Sequence, residues 1–404
     1  MSTPRSLYMS HRIRQATIRT VRGPFAALCA DPAGGVGDRQ GALLVPGYTG
    51  SKEDFLSVLE SLAAAGRAVT AIDMRGQYES DPAADRRGYG LEKLAQDIVA
   101  LAAALADNAG KVHLLGHSFG GLVARQAALA APASFLSLTL LCSGPGTIAG
   151  MRARALRDLL DYLEPAGDDI DQLGDMIAHV WDSQMRPQAE AEGTPPEIIE
   201  FLRKRALRSC PLGLSAMAGH LLDCADRTAE LAQVATFPIL VSYGENDDAW
   251  PPDVQDLMAE RLGAERICIP GAAHSPAVEA PETTAAMLTR FWNQAESRLS
   301  PRASYSRGPK SSTLVTAGAD FPPPHYVESN GTARSSSSPA RPSHGRRAGA
   351  ARCPSGQCAR KSHHPHHTPG RGGNTASPRS TGSSDLNRSS ASAHSAAMSS
   401  ARRR

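Results

Sequence analysis

The chain has 404 residues, of which 41% are hydrophobic and 21% charged, values that are ordinary for a soluble globular protein. No apolar run is long enough to cross a bilayer, and the basic start, Met1 to Arg22, lacks the apolar centre of a secretory signal. From Leu299 onward the sequence has 16 Lys and Arg against 3 Asp and Glu, whereas the preceding part has 27 against 37. The seven cysteines are scattered, and several of them stand in apolar runs, which suits a reducing compartment. We therefore predict a cytoplasmic protein with two parts of different character.

The first 298 residues alternate short apolar runs with helical patterns. The predicted strands are Ala42–Val45, Ala68–Ile72, Val112–Leu115, Leu136–Leu141, Pro238–Tyr243 and Ala264–Ile269. The predicted helices outside the middle of the chain are Asp54–Ala65, Leu91–Leu105, Gly121–Ala130 and Glu282–Ala295. Because strands that alternate with helices form right-handed parallel crossovers, this order predicts an α/β fold with a mostly parallel central sheet flanked by helices.

The alternation stops between about Gly144 and Leu231. This stretch contains only helical patterns, namely Ile148–Leu163, Ile170–Met185, Pro196–Leu207 and Leu212–Cys224. We predict a helical insertion over the sheet at 144–231, and such insertions commonly act as lids. The folded domain is predicted to span residues 1–298.

The segment 299–404 loses all periodicity and consists mainly of Ser, Arg, Pro, Gly and His. Such a composition cannot bury enough apolar surface to offset chain entropy, so we predict a disordered basic tail. Its Cys353, Cys358 and the histidines between 363 and 367 match no well-defined zinc spacing, so no metal site is predicted. Two explanations of the tail stay open. Its basic residues could attract nucleic acid or an anionic membrane weakly and in a salt-sensitive way. Alternatively, it is an out-of-frame extension of the coding sequence.

The strongest local motif is Gly116-His117-Ser118-Phe119-Gly120, which stands between a predicted strand and a predicted helix. It fits the G-x-S-x-G nucleophile elbow, in which small residues two before and two after the serine permit a tight strand-to-helix turn. The serine oxygen is then exposed at a helix N-terminus, which favours a developing anion. Ser118 is the predicted nucleophile, although a Gly-rich turn without function also fits the pattern.

A serine hydroxyl needs a general base, and His274 is the predicted one. It stands in a loop after the last predicted strand, at the edge of a parallel sheet where catalytic residues gather. The predicted carboxylate partner is Asp247, which follows the strand ending at Tyr243, and Asp248 stays the alternative because adjacent carboxylates share one pattern. Along the chain the nucleophile comes first, then the carboxylate and then the histidine, which is the order typical of the α/β enzymes that have such a nucleophile elbow.

A tetrahedral intermediate also needs backbone donors directed at its oxyanion. The amide of Phe119, directly after the nucleophile, is one candidate. The amide of Tyr48, in the Gly-rich turn Pro46–Ser51 after the first predicted strand, is the other.

Together these motifs resemble those of the α/β-hydrolase superfamily, in particular its lidded esterase and lipase-like members, over roughly residues 15–295. The matching segments are Pro46–Gly50, Asp73–Gly76, Gly116–Gly120, Gly244–Asp247 and Gly271–His274. The resemblance implies a mostly parallel sheet, a helical lid, no cofactor and acyl transfer through a serine ester.

Two positions depart from the pattern of this superfamily. Pro46 stands where many relatives have His, which removes a side-chain role but leaves the backbone donor. Tyr78 stands where relatives often have a second glycine, and it either alters the pocket or packs on the surface. Serine at the elbow argues against relatives that use aspartate there, such as haloalkane dehalogenases.

We therefore predict a serine hydrolase that cleaves a carboxylic ester of a small, apolar substrate. A thioesterase or lactonase with the same triad is the alternative, as is a member that only binds a small ligand. No specific nucleic-acid partner is predicted, and the sequence leaves the oligomeric state open.

Overall fold

The computed structural model describes residues 2–32, 37, 39–106 and 110–299, so the predicted tail from residue 300 onward lies outside the described residues. Within these ranges eight strands form one sheet in the order β1-β2-β4-β3-β5-β6-β7-β8. The strands are β1 (Ile13–Thr20), β2 (Gly23–Ala30), β3 (Ala42–Val45), β4 (Val69–Ile72), β5 (Val112–His117), β6 (Phe135–Leu141), β7 (Ile239–Gly244) and β8 (Glu265–Ile269).

The sheet is parallel from β4 through β8, which confirms the predicted mostly parallel fold. The antiparallel strands β1 and β2 extend it at one end, and β2 pairs antiparallel with β4. The sequence analysis did not predict this hairpin. Strand β1 lies at the edge of the sheet and is largely exposed, so its sequence is polar and has no apolar run to identify it.

Helices cover both faces of the sheet. They are α1 (Leu56–Ala64), α2 (Leu91–Leu105), α3 (Phe119–Ala130), α4 (Gly150–Leu163), α5 (Ile170–Val180), α6 (Arg186–Ala191), α7 (Pro196–Arg208), α8 (Pro211–Asp223), α9 (Thr228–Val234), α10 (Pro252–Leu262), α11 (Pro276–Glu279) and α12 (Pro281–Leu299). Buried side chains of α2, α3 and α10 form the core on one face. Those of α1, α11 and α12 form the core on the other.

The central strands have apolar side chains on both faces, since both are covered by helices. In β3, Leu43 and Val45 belong to one core and Leu44 to the other, as the two-residue period of a strand requires. In β5, Leu114 and Leu115 divide in the same way. All five side chains are fully buried, and burial of each contributes about 1.5–3 kcal/mol.

Helices α4 to α9 fill the chain between β6 and β7, and we call this segment the helical insertion. Its last helix, α9, ends at Val234, three residues beyond the predicted limit of 231. The last five residues of the predicted helix Ile170–Met185 instead form a π-helical turn, Trp181–Met185, which joins α5 to α6. Pro187 explains this turn, because a proline has no N–H to donate to the carbonyl four residues earlier. The role of the insertion as a lid remains a prediction.

The last helix, α12, is fixed to the core by Glu296. Its Oε1 accepts hydrogen bonds from Arg67 Nη1 (2.8 Å), from His113 Nε2 (3.0 Å) and from the backbone N–H of Gln40 (3.2 Å). Burial acts to raise the pKa of Glu296, but the His113 and Arg67 partners outweigh it and lower the pKa to about 2. The folded unit therefore includes the chain at least as far as this residue.

Candidate active site

Ser118 lies in the sharp turn between β5 and α3, with φ 54° and ψ −121°. A positive φ is unusual for a residue with a side chain, and such strain is concentrated at functional sites. The flanking glycines explain how the turn closes. A Cβ on Gly116 would lie 2.3 Å from the carbonyl oxygen of Gly120, and a Cβ on Gly120 would lie 2.3 Å from the carbonyl oxygen of Pro46. Only glycine fits at either position.

The structure brings Ser118, His274 and Asp247 together, although their positions span more than 150 residues of sequence. His274 lies in the loop between β8 and α11, and its Nε2 is 2.9 Å from Ser118 Oγ. Its Nδ1 is 2.8 Å from Asp247 Oδ1. A proton on Nδ1 is therefore donated to the carboxylate, which leaves Nε2 free to accept the proton of the serine hydroxyl.

Asp247 is held on both oxygens. The backbone N–H of Ala249 donates to Oδ1 (3.0 Å), and Gln255 Nε2 donates to Oδ2 (2.8 Å). Burial raises the pKa of Asp247, but the hydrogen bonds from His274, Ala249 and Gln255 outweigh burial and leave the pKa below its ordinary value. The carboxylate is therefore ionised at neutral pH. The sequence analysis missed Gln255, since a glutamine in a helix gives no distinctive signal.

Asp248, the alternative carboxylate, points elsewhere. Its Oδ1 forms a salt bridge with Arg152 Nη2 at 2.6 Å, and its side chain is 64% exposed. The hydrogen bond from Arg152 lowers the pKa of Asp248. The described contacts of Asp248 include no hydrogen bond to His274.

His117, the residue before Ser118, forms a hydrogen bond to the backbone of His274, the candidate general base. Its Nε2–H donates to the carbonyl oxygen of His274 at 2.7 Å. Burial, with the neighbouring His274 adding to the effect, lowers the pKa of His117 to about 3. A neutral His117 therefore ties the His274 loop to the elbow.

The loop Pro46–Gly50 packs directly against Ser118. A Cβ on Gly47 would lie 3.1 Å from Ser118 Cβ. Thr49, a β-branched residue, has φ 57°, a second strained position beside Ser118. Among the described residues the N–H of Tyr48 has no acceptor. The N–H of Phe119, at the first position of α3, has no acceptor within its own helix.

Gln77 holds this loop on the side of the turn after β4. Its Nε2 donates to the carbonyl oxygen of Gly47 (2.9 Å), and its Oε1 accepts from the backbone N–H of Met74 (3.1 Å). Gln77 is 1% exposed. The turn after β4 thus fixes the loop after β3.

A metal site at this place would have to displace existing hydrogen bonds. Among the described residues, potential ligand atoms of His117, Cys142 and His274 lie within 4.8 Å of one another. Both ring nitrogens of His274 are already bonded, as is Nε2 of His117. Burial raises the pKa of the Cys142 thiol far above its ordinary value, which disfavours the thiolate that a metal needs.

The comparisons identify the class of protein first. The model of the Alpha/beta hydrolase family matches residues 42–287, which is more than half of the chain. The protein therefore belongs to the α/β hydrolase family.

Individual proteins of known or assigned activity are also similar to this chain. Rhodomycin D methylesterase DauP of Streptomyces sp. (strain C5) is 28% identical over 279 residues, covering 60% of this chain and 90% of that protein. The provisionally named carbamate hydrolase RutD of Variovorax paradoxus (strain S110) is 40% identical over 107 residues. That match covers 26% of this chain and spans only 39% of the relative's length.

The structure is also similar to solved hydrolases. An esterase from Thermogutta terrifontis superposes with a TM-score of 0.53 at 24% identity, covering 70% of this chain and 99% of the esterase. At this identity the likeness shows the fold alone. Within the described residues, no helix of this protein is long and apolar enough to span a membrane.

Proposed function

We propose that this protein is a serine hydrolase that cleaves a carboxylic ester of a small, apolar substrate through an acyl-enzyme intermediate. One observation carries the proposal: His274 is within hydrogen-bond distance of both Ser118 Oγ (2.9 Å) and Asp247 Oδ1 (2.8 Å). The methylesterase among its relatives supports a hydrolase that acts on esters. The proposal assigns the domain to residues 1–298 and the lid to the helical insertion.

In the proposed reaction Ser118 Oγ attacks the ester carbonyl while His274 Nε2 takes the hydroxyl proton. Asp247 holds the imidazole in the required tautomer and stabilises its charged form. The oxyanion accepts hydrogen bonds from the amides of Tyr48 and Phe119. His274 then returns the proton to the leaving alcohol, and a water activated in the same way releases the acid from Ser118.

The first experiment measures hydrolysis of p-nitrophenyl esters of increasing acyl length by the parent and by Ser118→Ala. We expect kcat to fall on the order of 10⁴- to 10⁶-fold in the variant, because removal of a triad nucleophile leaves only binding and oxyanion stabilisation. A variant as active as the parent would refute Ser118 as the nucleophile. The matched control is Ser143→Ala, a buried serine outside the triad.

Two further substrates and one label separate the alternatives. Activity on thioesters or lactones with none on simple esters would favour the alternative reactions of the same triad. A fluorophosphonate that labels the parent and not Ser118→Ala would identify an activated serine. A folded protein that resists labelling would instead be a binding member of the family.

A further inference from the structure

A cavity of about 60 Å³ lies between the helical insertion and the loop that contacts Ser118. Tyr48 and Thr49 line it from the loop side. Most other lining side chains are apolar and come from the insertion, among them Leu159, Leu163, Ile177, Val180 and Leu214. On this measure of volume one water takes roughly 10–15 Å³, so the cavity has room for a chain of about four heavy atoms.

Trp181 lines this apolar cavity and has an unpaired polar group. It is a lining residue and is 1% exposed, and its Nε1–H has no acceptor among the described residues. The indole of Trp250 is different, because its Nε1–H donates to the carbonyl oxygens of Gly146 and Thr147 at 3.2 and 3.3 Å. A buried donor without an acceptor is costly, so an acceptor oxygen of a ligand in this cavity would relieve that cost.

Two of the three hydroxyls at the lining already have partners, whereas that of Tyr48 has none among the described hydrogen bonds. Thr49 Oγ1 donates to the carbonyl oxygen of Tyr48 (2.6 Å), and Ser209 Oγ donates to the carbonyl oxygen of Arg205 (2.8 Å). Neither proton is available to a ligand without breaking an existing bond. The indole N–H, by contrast, would gain a bond without losing one.

The backbone gives an independent indication of function at this position. Trp181 begins the π-helical turn, and Met185, its last residue, also lines the cavity. Single π-helical turns inside α-helices are rare and occur frequently at functional sites. This one lies at the cavity wall.

We propose that the cavity binds one arm of the ester substrate, about four heavy atoms long, and that this arm carries an ether or carbonyl oxygen that accepts a hydrogen bond from Trp181 Nε1–H. The inference rests on the proposed hydrolase function and narrows its substrate class. The substrate is then an ester with a second acceptor oxygen in an otherwise apolar arm. This oxygen is distinct from the carbonyl oxygen that the Tyr48 and Phe119 amides would hold.

The kinetic test compares esters that differ by one atom. Phenyl methoxyacetate and phenyl butyrate differ in the acyl arm, and 2-methoxyethyl acetate and butyl acetate differ in the alcohol arm. For each pair the ratio of kcat/KM, oxygen member over carbon member, is measured for the parent and for Trp181→Phe. Intrinsic reactivity cancels when the two proteins are compared. We expect the ratio to fall about three- to tenfold in the variant for the pair whose arm enters the cavity, as loss of one neutral hydrogen bond implies.

Trp292→Phe is the matched control, because the indole N–H of Trp292 also has no acceptor among the described residues but does not line the cavity. We expect this variant to keep the parent ratio in both pairs. Unchanged ratios for Trp181→Phe in both pairs would overturn the proposal. An equal fall in Trp292→Phe would do the same, since the effect would then be structural.

A second measurement needs no turnover. The chain has three tryptophans, so ¹⁵N labelling gives three indole N–H signals, and Trp181→Phe assigns the relevant one. In Ser118→Ala protein saturated with the four esters in turn, we expect an oxygen-containing ester to move the Trp181 signal downfield more than its carbon partner does. A signal that responds equally to both members of each pair contradicts the proposal. A selective shift in a protein without hydrolytic activity would refute the proposed function and leave the binding site intact.

Discussion

Replacement of Asp247 by Asn tests the triad most directly, because the structure leaves the new amide no orientation without a conflict. Both oxygens of Asp247 face donors, His274 and Ala249 on Oδ1 and Gln255 on Oδ2. An amide NH₂ on the Oδ2 side meets the Gln255 amide. That amide cannot simply flip, since its Nε2 also donates to the carbonyl oxygen of Trp250 at 2.7 Å.

On the Oδ1 side the NH₂ forces His274 to accept at Nδ1. Nε2 then carries the proton and faces Ser118 as a donor, so the general base is lost. Loss of the correct tautomer costs about 10⁴-fold in kcat in serine proteases, and we expect a similar loss here. This corresponds to about 5.5 kcal/mol of transition-state stabilisation, at 1.36 kcal/mol per factor of ten.

The assay measures kcat and KM on the best p-nitrophenyl ester at pH 7 to 8, with near-ultraviolet circular dichroism as the check on folding. Asp248→Asn is the matched control. Its carboxylate is exposed and forms a salt bridge with Arg152, so we expect kcat within about threefold of the parent. A folded Asp247→Asn protein within tenfold of the parent, or a larger loss in Asp248→Asn, would refute the assignment.

Three further predictions follow from the surroundings of the triad. Gln77→Ala removes the hydrogen bond that holds the carbonyl of Gly47, so we expect kcat on the same ester to fall about 10- to 100-fold with little change in KM. An unchanged kcat would show that Gln77 does not position the loop that contains Gly47. The pKa of Glu296 is lowered to about 2, so its bonds stabilise the fold above its unfolded pKa near 4.5 and are lost as the pH falls toward 2. We expect Glu296→Gln to lower the free energy of unfolding by about 2 kcal/mol at pH 7. In urea unfolding the variant should also show a flatter pH dependence of stability between pH 5 and 3. A chain that ends at Leu299 should keep the melting temperature and activity of the parent. A chain that ends at Arg290 lacks the buried end of α12 and should not fold. Loss of activity in the chain that ends at Leu299 would assign the tail a role.

The parts of the fold that the sequence predicted are those with a strong local signal. Buried strands such as β3 are continuous apolar runs, and the elbow glycines are required by contacts of 2.3 Å. The edge strand β1 is exposed, so selection for burial leaves no mark on its sequence. Asp247 and Asp248 share every local property, and only the long-range approach of His274 distinguishes them. Gln77 and Gln255 act through tertiary hydrogen bonds, for which a single sequence has no pattern.

Tyr78 shows how a departure from a superfamily pattern can be stabilised by tertiary contacts. Its φ of 37° explains why relatives often have glycine at this position, since a side chain there costs about 1–2 kcal/mol. The residue is 8% exposed, which excludes simple packing on the surface. It lies edge-on to Phe201 of α7 with centroids 5.7 Å apart, and Lys52 Nζ is 4.6 Å from its centroid.

An edge-to-face aromatic pair contributes about 0.5–1.5 kcal/mol beyond area burial, and a partly buried cation over a ring about 0.5–2 kcal/mol. These two contacts are therefore large enough to offset the strain of the left-handed tyrosine. Phe201 belongs to the helical insertion and Lys52 to the turn before α1, so the ring joins the insertion to the sheet domain. The residue that breaks the superfamily pattern thus strengthens the attachment of the insertion, in the hydrophobic cluster that also contains Trp181.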